Sequence, residues 1–240
     1  MMEIKNVEVF GMKDSVIRSG YPKRYGDVDS NKSWDINRAR KLGSCPISTG
    51  HDNFLNGIIV QFDIKYPQYF SLQMQRYHFL DFISSQSKMH TIALQEDITT
   101  SCNKWVDIDI IEIINEYIKL YNNFEKEIQR LKNLAMSNGA DLFEKAFHLK
   151  MVEKVCVRDK RGNKNFYDKK DLFMKIISNL PMGFELWAGM TTNYRQLKTI
   201  YFQRKNHKLS EWNYFCNWIE QLPNFKYLIL GEKEDEIEGI

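Results

Sequence analysis

The chain has 240 residues with 34 Lys+Arg against 31 Asp+Glu, a net charge of +3, and 43% hydrophobic residues of which many are aromatic. That apolar content supplies a core and excludes intrinsic disorder, while so small a net charge gives no basic stripe for a nucleic-acid partner. No apolar run is long enough to span a membrane, MMEIKNVEVFGMKD lacks the continuous apolar core of a leader, and the four cysteines and five histidines are too scattered for a disulfide frame or a metal site, so the expectation is a metal-free cytoplasmic protein with reduced thiols.

Taken in chain order, residues 19–53 are rich in Gly, Ser, Asn, Asp and Pro and read as loops around a short helix near Asp35–Leu42, with Asp35 as its cap. Ile58–Ile64 (IIVQFDI) is β-branched and partly alternating, a strand. Pro67 suits a first helical turn, and Tyr69–Ser84 carries apolar residues at helical spacing. Asp107–Met136 is the strongest helical pattern: Ile110, Ile111, Ile114, Ile118, Tyr121, Ile128 and Leu131 form one stripe, with Glu112, Glu116, Glu125, Lys126 and Arg130 off it. Helices follow near Gly139–Val155 and Lys169–Asn179, with a polar turn at Asp159–Asn165 before the second. Thr191–Gln203 and Leu209–Leu222 read as consecutive helices, and Glu232–Glu238 as an acidic, solvated tail. One α+β domain over 1–240, mostly helical with a small sheet, accounts for this pattern.

Two segments carry chemistry. In Gly50–Met89, Gln73 and Arg76 are three residues apart on the expected helix and point one way. Arg76 and His78 diverge by about 200° and so serve two ligands or two subunits. The run Ser84, Ser85, Gln86, Ser87, Lys88 offers hydroxyls, backbone N–H groups and a cation to an anion. In Leu180–Trp212, Asn193, Arg195 and Arg204 lie on or at the end of one helix. Arg195 and Arg204 are nine residues apart, about two and a half turns, and face opposite sides. The guanidinium fork suits phosphate oxygens or the polar edge of a base.

The ordered set Gly50-His51-Asp52-Asn53, the strand, Pro67, Gln73, Arg76-Tyr77-His78, Leu180-Pro181, Asn193-Tyr194-Arg195-Gln196-Leu197 and Arg204 resembles the flavin-dependent thymidylate synthases, over roughly 75 residues. The matching family pattern is Gly-His-Glu-Thr/Ser, strand, proline-led helix with Gln and Arg-His-Arg, a Ser-x-Arg-Tyr loop, then Leu-Pro and Asn-x-Arg-x-Leu with a further arginine. The chain departs from it at Tyr77, Gln86, Met89 and Trp187, which stand in place of a histidine, the loop serine, the loop tyrosine and a phosphate-binding arginine.

The resemblance implies a mainly helical fold with a small central antiparallel or mixed sheet. It implies FAD held by His51, Asn53, Asn56, Arg76, His78, Asn193 and Arg195. It puts Gln73, Ser85, Gln86, Ser87, Lys88 and Arg204 on a pyrimidine nucleotide, with Arg204, Arg76 and His78 as the catalytic set. The implied reaction installs a one-carbon unit at C5 of dUMP, with methylenetetrahydrofolate and NADPH as cosubstrates, in a homotetramer of a bacterial or phage-infected cell. Two alternatives stand beside it: another pyrimidine acceptor, such as dCMP or hydroxymethylation, and a non-catalytic nucleotide-binding homologue.

Overall fold

The computed structural model describes residues 2–27, 33–137 and 154–232. The chain divides into two compact units, one made of Met1–Ser85 with Leu186–Ile240, the other of Gln86–Glu185.

The first unit is built on a four-stranded sheet, β1 Glu3–Phe10, β2 Ile59–Pro67, β3 Leu80–Ser85 and β6 Glu185–Asn193, in the order β1-β2-β6-β3. β1 runs antiparallel to β2, with Ile4 opposite Ile64 and Val9 opposite Val60, and β3 runs antiparallel to β6, with Leu80 opposite Thr192. The register of β1 slips between Lys5 and Glu8. Asn6 takes up the slip at φ 50°, and its side-chain amide donates to Asp63 Oδ2 at 2.6 Å. Asparagine tolerates that left-handed conformation better than most residues. Val60, Phe62, Ile64 and Tyr66 of β2, with Leu186, Ala188, Met190 and Thr192 of β6, turn their alternate side chains inward.

Helices α1 Met12–Arg18, α2 Ile36–Gly43, α3 Gln68–Met74, α8 Tyr194–Arg204 and α9 Ser210–Glu220 belong to this unit. α9 packs rings onto β2: Trp218 lies 4.6 Å and Phe215 6.0 Å from the Phe62 ring, centroid to centroid. Asp35 caps α2, accepting the Arg38 N–H at 2.8 Å, as expected from its place before the apolar positions.

The second unit contains α4 Lys88–Thr91, α5 Ile108–Asn122, α6 Phe124–Ser137, the hairpin β4 Val155–Arg158 with β5 Lys164–Tyr167, and α7 Lys169–Asn179. Phe124, Ile128, Val155 and Leu172 form its core with Tyr117, Leu120, Tyr121 and Tyr167 around them. The polar turn expected over Asp159–Asn165 closes the hairpin over residues 159–163, where the Asp159 carboxylate accepts the N–H groups of Arg161 and Asn163 at 2.9 Å each, while Lys164 and Asn165 already belong to β5. α7 has the expected bounds, because Asp168 accepts the Asp171 N–H while Asp171 accepts the Asp168 N–H, a reciprocal cap.

Three expectations are corrected. The helix expected at Tyr69–Ser84 stops at Met74. Arg76, Tyr77 and Leu80 each donate three residues back, which unwinds the helix into turns. Leu80–Ser85 then pairs with β6 instead, so Gln73, Arg76 and His78 do not share one helix. The helix at Asp107–Met136 breaks at Asn123, whose side-chain and backbone N–H groups both donate to the Lys119 carbonyl and cap α5. The helix at Thr191–Gln203 begins only at Tyr194, since Thr191 and Thr192 are β-branched strand residues opposite Asp81 and Leu80. Most of the helix expected near Gly139–Val155, and of the acidic tail, lies outside the described residues; Val155 itself opens β4. β1 and the hairpin partners were not expected.

Candidate functional site

Helix α8 is the axis of the site. It starts at Asn193, which is extended at φ −135° and ψ 164° and whose side-chain carbonyl accepts the Gln196 N–H at 2.8 Å. The Tyr194 N–H donates to the Ile58 carbonyl at 3.0 Å, fastening this end of the helix to the start of β2.

One turn further, the Lys198 side chain is only 2% exposed. Its ammonium donates to the Gly43 carbonyl at 2.8 Å, the Cys45 carbonyl at 2.6 Å and Asp52 Oδ2 at 2.7 Å. All three of its N–H donors are therefore met, which is what allows a cation to be buried. Asp52 is 1% exposed, and the Arg195 Nε lies 3.3 Å from its Oδ1. That oxygen has no hydrogen bond of good geometry among the described residues, so two cations share one carboxylate.

Asp52 stands inside the sequence motif, yet neither it nor Lys198 was singled out. The available signal was a carboxylate flanked by His51 and Asn53, and a lysine three residues after Arg195 on the same helix face. His51, Asn53 and Asn56 are exposed around Asp52, the latter two in the 3₁₀ turn Asn53–Gly57. That turn is held close to α1. A Cβ on Gly57 would meet the Ser15 Oγ at 2.3 Å, and one on Gly11, at φ +75°, would meet the Gly57 carbonyl oxygen at 2.3 Å. Position 11 therefore requires glycine, and a side chain at position 57 would have to displace the Ser15 hydroxyl.

The other end of α8 is built from rings. Trp212 of α9 is fully buried, with Phe70 of α3 at 4.6 Å and Tyr77 at 5.7 Å, centroid to centroid. Its indole N–H donates to Gln73 Oε1 at 2.7 Å. The Arg204 guanidinium lies over the same ring at 5.1 Å and over Tyr77 at 5.6 Å, a cation–π arrangement. Arg204 Nε donates to the Tyr77 hydroxyl at 2.6 Å, and that hydroxyl donates to Gln203 Oε1 at 3.1 Å. Beside this cluster, burial and then Glu220 push the Cys216 thiol up to about 11.

The structure thus brings Gln73 and Arg204 together through Trp212 and Tyr77. It brings the His51–Asn56 turn together with Asn193 and Arg195 through Asp52. These two groups sit at opposite ends of α8, about 14 Å apart along its axis. Arg76 and His78 are exposed in the turn after α3, and their side chains make no hydrogen bond to the described residues. Ser85 ends β3 opposite Ala188. Gln86, Ser87 and Lys88 belong to the second unit, where the Ser87 carbonyl accepts the His90 and Thr91 N–H groups and starts α4. At Trp187 the ring receives a cation from elsewhere in the sheet: Lys5 Nζ lies 5.3 Å from its centroid and 2.6 Å from the Glu3 carboxylate. A shallow groove of about 360 Å³ on the second unit, lined by Phe166, Tyr167, Asp171, Met174, Lys175, Ser178 and Asn179, includes none of the expected site residues.

The architecture is that of the flavin-dependent thymidylate synthase fold, a small antiparallel sheet within a mainly helical chain. The chain is similar in structure to Thymidylate Synthase X from Helicobacter pylori, solved with FAD and dUMP, at TM-score 0.50 and 16% identity over 100% of both chains. A second structure of that enzyme, also complexed with FAD and dUMP, aligns at TM-score 0.49 and 16% identity over 95% of this chain and 97% of the other. No family model and no curated protein matches the sequence. Among the described residues no helix is long and apolar enough to cross a membrane, and no group of three or more His, Cys, Asp and Glu could hold a metal ion.

Proposed function

We infer that the chain is a flavin-dependent enzyme that transfers a one-carbon unit to C5 of a pyrimidine deoxynucleotide, of the dUMP-to-dTMP type. The observation that carries this reading is the fold match along the whole of both chains to an enzyme solved with FAD and dUMP. In this reading residues 1–240 form one family domain, methylenetetrahydrofolate and NADPH are cosubstrates, and the protein works in the cytoplasm.

The residues around Asp52 fit a flavin dinucleotide by their chemistry. His51, Asn53 and Asn56 are exposed hydrogen-bonding groups on a turn whose buried carboxylate is outweighed by Lys198 and Arg195, leaving a local positive charge for an anionic, carbonyl-rich group. FAD would supply the hydride chemistry there. His51, Asn53, Asn56 and Arg195 would hold it, while Asn193 starts the helix that carries Arg195. Arg76 and His78 would complete the site from a second copy, since one chain sets them near the opposite end of α8. A homotetramer supplies that arrangement. At the Arg204 end, the guanidinium would bind the pyrimidine edge and stabilise negative charge on a ring carbonyl as C5 becomes nucleophilic. Gln73, with its carbonyl occupied by Trp212, would donate its amide to the same ligand. By their own chemistry, Ser85, Gln86, Ser87 and Lys88 form a run of hydroxyls, N–H groups and a cation that would hold a phosphate.

A different pyrimidine acceptor is the second reading, favoured by Trp187, whose ring carries the Lys5 ammonium where the related pattern has an arginine. Tritium release from C5-labelled dUMP and dCMP separates the two. Release from dUMP, dependent on folate and reduced flavin, is the expected result. Release from dCMP alone selects the second reading. A colourless protein that releases tritium from neither ends both and leaves the non-catalytic homologue.

A further inference from the structure

The Tyr77 phenol occupies a position that the sequence resemblance gives to histidine, and its hydroxyl is fully engaged. It receives the Arg204 Nε–H at 2.6 Å and donates to Gln203 Oε1 at 3.1 Å. The ring itself is 9% exposed and stands edge-on to Trp212, 5.7 Å away. An arginine side chain has many rotamers, and here three contacts restrict it: the Tyr77 hydroxyl, the Tyr77 ring and the Trp212 ring. A guanidinium has five N–H donors in a planar fork. The one on Nε is turned inward to Tyr77, and those on Nη1 and Nη2 hydrogen-bond nothing among the described residues.

We propose that Tyr77 is a positioning residue, which fixes Arg204 with Nε inward and the two Nη groups presented as a paired donor to a ligand edge bearing two acceptors. The geometry selects the ligand by acceptors alone. Gln73 Oε1 accepts the Trp212 N–H, which identifies the amide N–H groups of Gln73 as further donors. A pyrimidine ring carbonyl, whose oxygen has two lone pairs, or a carboxylate satisfies such a set, and an ammonium does not. The pyrimidine edge is chosen because this inference rests on the proposed function. The arginine's orientation, in contrast, rests only on the contacts within the chain.

The test uses the full-length protein labelled with nitrogen-15, with the Arg204 side-chain Nε–H resonance assigned by its loss in Arg204→Lys. In the wild type that N–H is expected to be protected from solvent exchange at least tenfold relative to an exposed arginine such as Arg76. Tyr77→Phe keeps the ring and removes the acceptor. It should abolish the protection and raise the dissociation constant for dUMP about tenfold, the loss expected for one charge-assisted hydrogen bond. Gln203→Leu removes the group that turns the hydroxyl towards Arg204, and should lower protection by a smaller factor even if Tyr77→Phe fails to fold. An Arg204 resonance that is unprotected in the wild type, or unchanged in both variants, overturns the proposal. If the resonance responds as expected but the wild type binds neither dUMP nor dCMP, the positioning role stands and the proposed function fails.

Discussion

The two ends of α8 hold an arginine each and hold it by opposite means. At Arg195 the helix is anchored by charge: a fully buried ammonium on three oxygens, and a buried carboxylate between two cations. At Arg204 it is anchored by rings, with one neutral hydroxyl bonded to the guanidinium and one indole N–H bonded to Gln73. The charged anchor depends on completeness. Remove Lys198 and the buried carboxylate keeps only the half-exposed Arg195 to balance it, which costs more than the pair contributes. The aromatic anchor is graded, because each ring contributes packing independently of the next. The first arrangement fixes where the helix starts to within a hydrogen bond. The second spreads the hold on the far end over several rings, Phe70, Tyr77 and Trp212.

The largest expected effect comes from breaking the charged anchor. Lys198→Met keeps the length and apolar stem but leaves Asp52 at 1% exposure with Arg195 as its one partner among the described residues. The fold should lose about 3–5 kcal/mol, read as a shift in the urea midpoint. Lys198→Met combined with Asp52→Leu should recover more than half of it, since no charge then remains buried. A double variant as unstable as the single one would show that packing, not charge, holds this end. The aromatic end should lose less. Trp212→Phe keeps an aromatic ring against Phe70 and takes the donor from Gln73 Oε1. About 2 kcal/mol is expected from the lost volume and the unmet carbonyl, and a loss equal to that of Lys198→Met would erase the contrast. Smaller again is Asp35→Ala, which removes the cap of α2, the helix whose last residue, Gly43, receives Lys198. About 1 kcal/mol is expected, with faster amide exchange through α2 and no change at Trp212.

The difference between the two ends also explains what could be read from the sequence. Local signals were legible wherever a side chain acts on its own backbone. Asp35, Asp168 and the turn at Asp159 stand where a cap or turn needs them, and α2, α7 and the hairpin turn follow. β2 was legible because its alternation serves one buried face. What escaped was set by partners distant in sequence. Leu80–Ser85 carries apolar residues that fit a helix as well as a strand, and pairing with β6 decides for the strand. β1 is an edge strand with mostly exposed side chains, so it lacks the pattern of a buried one. The placing of Asn193, Arg195 and Arg204 on or at the end of one helix was legible by spacing. Lys198 and Asp52 are 146 positions apart, and nothing local marks a lysine as buried. Trp212 and Tyr77 likewise read as core rings until Arg204 is seen to lie over both.

The smallest effect at neutral pH separates the two ends by titration. Cys216 of α9 is 2% exposed, and its thiol is raised from 9.0 to about 11 by burial first and then by Glu220, against a lowering by Arg204 and Lys205. A group with a raised folded pKa keeps its proton in the native state longer than in the unfolded chain. Its contribution is therefore whole below pH 9 and is lost as the pH climbs towards 11. Unfolding free energy should fall across that window, and Cys216→Ala should make the fall shallower by about one proton while leaving stability at pH 7 nearly unchanged beyond the small packing loss. Urea titrations at a series of pH values measure both slopes. Equal slopes in the two proteins would mean that the thiol ionises as freely as in the unfolded chain, and that the cluster around Arg204 is open to water rather than closed by its rings.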